Sequence, residues 1–171
     1  MNAGATSGNN LLSGGDGNDT LSTSYVSKNI YNSTASSGNN TLNGGAGNDY
    51  LDAESPSGNN LLSGGDGNDT LSTSGVFTYR AAPNFISSGN NTLNGGAGND
   101  YLMAKGSSGN NLLSGGDGND YLDISGIPTY YGGIFLSSDN NTLNGGAGDD
   151  TLKAEDSKCY GGNYNDIQSY Y

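Results

Sequence analysis

Along most of this chain a leucine stands among small and polar residues, and its setting recurs about every nine positions. "ATSGNNLLS" (5–13) is followed at once by "GGDGNDTLS" (14–22), so that Gly8 matches Gly17, Asn10 matches Asp19 and Leu12 matches Leu21. The elementary unit is a nonapeptide, a glycine-rich turn joined to a short x-Leu-x strand. In a strand alternate side chains face opposite ways, so the central leucine points inward while its neighbours face solvent. Stacking the units predicts two inner columns. One holds Leu12, Leu42, Leu62, Leu93, Leu113 and Leu143, the other Leu21, Leu51, Leu71, Leu102, Leu122 and Leu152.

The Gly-Gly pairs begin at 14, 44, 64, 95, 115 and 145, at spacings of 30, 20, 31, 20 and 30 residues. Two nonapeptides and a connection make one coil, and a long and a short coil make a super-repeat of about 50 residues. Repeats of this kind stack neighbour on neighbour into one continuous core. The expected fold is all-β: a right-handed parallel β-roll, or β-solenoid, of about six coils in which short and long coils alternate. It occupies residues 1–158, with 159–171 as a degenerate repeat acting as tail, cap or junction.

Composition sharpens this picture. Only 31% of the 171 residues are hydrophobic, too few for an ordinary core, and the net charge of −12 would favour disorder if the order of residues were ignored. Twelve leucines do not offset the ordering of so long a chain, so a second stabiliser is expected. Five basic residues against 17 acidic ones argue against nucleic acid as a partner, because phosphate contacts need clustered Lys and Arg. The charge points to cations. With no histidine and no nucleophile–base pair, no catalytic constellation can be assembled, and the chain is expected not to be an enzyme. No apolar run approaches the roughly 20 residues of a membrane span, and no N-terminal leader is visible. Export by a route without such a leader is the expectation. Cys159 is the single cysteine.

"GGDGNDTLS" resembles the nonapeptide G-G-x-G-x-D-x-U-x of the RTX (repeats-in-toxin) calcium-binding proteins, in six strong and six degenerate units. That resemblance implies Ca²⁺ held between stacked turns, with the sixth-position carboxylates as side-chain ligands: Asp19, Asp49, Asp69, Asp100, Asp120 and Asp150. The turn glycines would supply the backbone oxygens, at Gly15 and Gly17, Gly45 and Gly47, Gly65 and Gly67, Gly96 and Gly98, Gly116 and Gly118, and Gly146 and Gly148. Such ligation is in keeping with a cation that takes six to eight oxygens from carboxylates and carbonyls. Six stacked turns enclose about five sites, whose charge of about +10 nearly cancels that of the chain.

Asp16, Asp66 and Asp117 alternate with Ala46, Ala97 and Ala147 at the third position, so they are expected to face solvent rather than metal. The other nonapeptide has Asn at its sixth position: Asn10, Asn40, Asn60, Asn91, Asn111 and Asn141. Neutral amides are poorer calcium ligands but can hydrogen-bond up a column, which predicts calcium along one edge and an asparagine ladder along the other.

Each long coil carries about ten extra residues, rich in aromatic and β-branched types, and "YYGGIF" (130–135) reads as a hairpin turn. These inserts are candidates for a second small core or for lateral contacts. The repeat style is closest to bacterial proteins exported to the cell surface. The functional expectation is an extracellular structural protein that folds on calcium and polymerises head to tail with copies of itself. An adhesin or ice-binding module, or the secretion module of a larger protein, is the alternative.

Overall fold

The structure, a computed structural model, describes residues 8–23, 38–53, 58–74, 87–125, 127–128, 134–135, 140–154, 158–162 and 167–170. Two parallel seven-stranded sheets dominate it. The first runs in chain order through Leu11–Asp16, Thr41–Ala46, Leu61–Asp66, Thr92–Ala97, Leu112–Asp117, Thr142–Ala147 and Lys158–Gly162. The second contains Thr20–Ser22, Tyr50–Asp52, Thr70–Ser72, Tyr101–Met103, Tyr121–Asp123, Thr151–Ala154 and Ile167–Tyr170. Each coil gives one strand to each sheet, and like positions pair in register, as in Leu12 with Leu42 and Leu21 with Leu51. This is the parallel β-roll that the nonapeptide predicts.

All twelve leucines of the two columns are buried between the two sheets. A third inner column accompanies them, made by Thr23, Ala53, Thr73, Ala104, Ile124 and Ala154. Each of these lies two residues after a column leucine, so strand alternation carries it to the same face. Their sequence signal is only the i+2 offset from leucine.

One expectation is corrected. The Gly-Gly pair does not belong to the turn: strands of the first sheet are six residues long and include it, with Gly15 paired to Gly45 and Gly65 to Gly96. The tail continues the roll as a degenerate repeat. Lys158–Gly162 pairs with Thr142–Ala147 and Ile167–Tyr170 with Thr151–Ala154, which adds a seventh coil. Gly162 stands in register with Gly146, and Cys159 with Leu143.

Of the inserts, the third forms an antiparallel pair between Ile127–Pro128 and Ile134–Phe135, the hairpin expected of "YYGGIF". The first two inserts, and the aromatic surface expected of them, lie outside the described residues.

Candidate metal centre

The sixth-position aspartates form one column down the inside of an edge of the roll. Asp49, Asp69, Asp100, Asp120 and Asp150 are buried, at 1–3% exposure, although carboxylates are almost never buried without partners. One oxygen of each is satisfied. The backbone N–H of Asp19 donates to Asp49 Oδ1 at 2.7 Å, that of Asp49 to Asp69 Oδ1 at 2.7 Å, and the ladder continues through Asp100 and Asp120 to Asp150. The other oxygen is not: Oδ2 of all six aspartates is buried with no hydrogen-bond partner.

The environment resists that much charge. Burial, opposed by the backbone N–H and reinforced by the carboxylates one coil away, pushes Asp100 up to about 7 and Asp120 up to about 6. Asp69 is raised for the same reasons. A row of buried oxygens at the coil spacing of about 4.8 Å, all acceptors, is a site short of positive charge. Its donors are carboxylate and carbonyl oxygens with no nitrogen or sulfur ligand, the chemistry of a hard divalent cation. Among the described residues no three carboxylates converge on a point, because each coil supplies one carboxylate. A cation here would be shared between successive coils.

The opposite edge shows what a satisfied column looks like. Asn10 donates through both its backbone N–H and its Nδ2 to Asn40 Oδ1, at 3.2 and 2.8 Å, and Nδ2 also reaches the Gly8 carbonyl. The same set recurs from Asn40 to Asn60, Asn91, Asn111 and Asn141. The predicted ladder is present, and no buried side-chain atom of it is left without a partner. One atom separates the two edges: Nδ2 has donors to give, whereas Oδ2 needs something to accept from.

Two further ladders were not anticipated. The fifth-position residues run along the outside of both edges with the opposite polarity, the later coil donating to the earlier. Asn48 N–H donates to Asn18 Oδ1 at 2.8 Å and Asn39 N–H to Asn9 Oδ1 at 2.9 Å, and the rows continue to Asp149 and Asn140. Their signal was the recurrent Asn directly before each sixth-position residue. Asp16, Asp66 and Asp117 are exposed, as the alternation with alanine implied.

The glycines divide by role. Gly45, Gly65 and their equivalents hold positive φ within the strand, and the Gly17 series holds it at the turn. The Gly17 N–H donates to the carbonyl of Ala46 on the next coil, a bond repeated up to Gly118. The first glycine of each pair serves by size. A Cβ on Gly64 would run into Asp69 Oδ2 and lie 2.7 Å from the Gly95 carbonyl oxygen. The sixth-position carboxylate occupies the space where any side chain at position one would go, and this couples the two ends of the motif. Gly64→Ala is accordingly expected to destabilise the calcium-loaded protein by about 2 kcal/mol or more. Asp66→Ala is expected to leave it unchanged, read as the denaturation midpoint of each variant in excess calcium.

The coupled Gly-Gly and Asp positions, repeated coil after coil, decide the family. Six segments, 5–24, 34–55, 57–75, 87–106, 103–123 and 135–157, match the RTX calcium-binding nonapeptide repeat. Together they cover well over half of the chain. The chain belongs to the RTX calcium-binding nonapeptide repeat family. The repeats of this family bind Ca²⁺ and form β-rolls. No curated protein and no solved structure matches the chain.

Proposed function

We propose that this RTX protein is an extracellular structural protein, a roll that folds on calcium and stacks end to end into filaments or a surface layer. About five ions would lie one in each interval between the six Asp-bearing coils. Asp19, Asp49, Asp69, Asp100, Asp120 and Asp150 would hold them, joined by carbonyl oxygens of the turn. Bound there, the metal supplies positive charge to buried oxygens that have no other partner.

The observation that favours polymerisation is the common polarity of the ladders. Among the described residues both sheets begin on coil one and finish on coil seven with no further strand beyond, and uncovered edges template further pairing. The ladders are open in the same sense. Every sixth-position Oδ1 from coil two to coil six accepts an N–H from the coil before it. Among the described residues nothing reaches Asn10 Oδ1 or Asp19 Oδ1. The first coil thus offers acceptors at position six and donors at position five to the last coil of a second copy. A head-to-tail contact of this kind does not close on itself and generates a fibre.

Electron microscopy with and without a chelator tests this reading. Calcium should give filaments that lengthen with protein concentration, and chelation should disperse them. A monodisperse monomer at high concentration in millimolar calcium would sink the assembly proposal while leaving calcium binding intact.

A further inference from the structure

The three long coils share an identical stretch, "SGNNLLSGGDGND", at 7–19, 57–69 and 108–120. The next four residues are "TLST" in the first two and "YLDI" (121–124) in the third. The short coil between the last two departs as well, with "YLMAK" (101–105) where the earlier one has "YLDAE" (50–54). In so regular a chain, changes confined to these positions stand out, and the fold brings them together on the outer face of the second sheet.

Tyr101 and Tyr121 are paired in register on adjacent coils. Their rings stack with centroids 4.5 Å apart and planes 9° from parallel. The Tyr121 hydroxyl donates to Asp123 Oδ2 at 3.1 Å. Asp123 is itself buried, ion-paired with Lys105 at 2.6 Å, and accepts from the Ser125 N–H and hydroxyl at 3.0 and 2.6 Å. Lys153 lies over the Tyr121 ring at 5.1 Å. The outer ring, Tyr101, is 37% exposed. Elsewhere in this column Tyr50 has Thr20 and Thr70, not tyrosines, as its register neighbours.

We propose that Tyr101 and Tyr121 are an oxidative cross-linking site, at which a peroxide-driven one-electron oxidant joins the two rings by a carbon–carbon bond between adjacent coils. The stacking holds the two phenol rings face to face before any oxidation, so coupling is a reaction of pre-positioned neighbours rather than of a chance encounter. Asp123 gives the Tyr121 proton a place to go as the electron leaves, and Lys105 fixes that carboxylate in position.

The chemistry balances. Each phenol loses one electron to the oxidant and its hydroxyl proton to base, by way of Asp123 for Tyr121. The two radicals join at their ortho carbons, and the ring hydrogens at those carbons return to the oxygens. The net loss is two electrons and two protons, which reduce one hydrogen peroxide to two waters. The product is a covalent staple between the fourth and fifth coils, and its formation does not depend on whether the protein polymerises.

The test oxidises the calcium-loaded full chain with a haem peroxidase and hydrogen peroxide, then maps cross-linked peptides by mass spectrometry. The 101–121 pair should be the first tyrosine cross-link to appear. It should be lost in both Tyr101→Phe and Tyr121→Phe, which keep the stacked rings, and persist in Tyr50→Phe. Mixing isotopically heavy and light protein should give no mixed-mass form of it. Coupling of insert tyrosines while Tyr101 and Tyr121 are recovered intact, or a mixed-mass product, would overturn the proposal.

Discussion

Excess chelator at neutral pH is expected to abolish the β-sheet circular dichroism of this protein, and adding calcium back to restore it. The reason lies in the aspartate column. Six carboxylates at the coil spacing of about 4.8 Å each bury an oxygen that has no hydrogen-bond partner among the described residues, and like charges one coil away add to the burial that raises Asp69, Asp100 and Asp120. The leucine and alanine columns are too slight to carry that penalty alone.

The same penalty has a pH signature in the metal-free protein. The folded-state values of Asp100 and Asp120 lie at about 7 and about 6, above the ordinary carboxylate value of 3.8. For an acid shifted upward, the folded state binds more protons than the unfolded one. The cost of folding is therefore absent below the unfolded value, grows as pH rises, and is complete above the folded value. Each of these two groups contributes a few kcal/mol to it. In chelator, lowering the pH from neutral to 5, still above the isoelectric point of 4.1, should recover part of the β signal lost at neutrality. An unchanged spectrum in excess chelator at pH 7 would refute calcium-dependent folding. A metal-free spectrum that does not respond to acid would place the penalty elsewhere than in these carboxylates.

Much of this was legible in the chain because a solenoid turns sequence period directly into spatial neighbourhood. Leu12 and Leu42 lie one coil apart along the chain and so must touch, and the asparagine and aspartate columns arise by the same step. Where reading fell short, the cause was a side-chain contact, within a coil or between neighbouring coils, that the period does not specify. That Gly64 gives way to the Asp69 carboxylate five residues on is a fact about side-chain direction, and period alone does not contain it. Asp123 looks like one more surface acid in an acidic chain, yet it is buried because Lys105, Ser125 and Tyr121 converge on it. The tail was harder for another reason. Gly161-Gly162 preserves the start of the motif, but Gln168 stands where leucine is expected, so the seventh coil shows in the strand register and hardly in the hydrophobic pattern.

Replacing the six column aspartates by asparagine, at 19, 49, 69, 100, 120 and 150, is expected to yield a roll that folds without calcium and no longer responds to it. The protein already contains the argument. On its other edge the same sixth position is asparagine, and there Nδ2 donates to the next Oδ1 and to the carbonyl of the glycine two residues earlier, as Asn111 does to Asn141 at 3.0 Å and to Gly109 at 2.9 Å. A glycine stands two residues before every column aspartate too, from Gly17 to Gly148, and the Oδ1 ladder is already in place. Asparagine differs from aspartate by one atom, so it should fit beneath the position-one glycine while removing the like-charge repulsion and giving the orphaned atom a donor role. Each satisfied amide adds a net stabilisation of about 1 kcal/mol, and each removed buried charge relieves more. A single substitution such as Asp100→Asn should have a smaller effect of mixed sign: it relieves repulsion in the metal-free state but weakens the two ion sites beside it, seen as lower calcium cooperativity. Circular dichroism and calcium titration of the sixfold variant decide the matter. A variant unfolded both with and without calcium would mean that the aspartate edge cannot adopt the geometry of the asparagine edge, and that the two sides of the roll are not interchangeable.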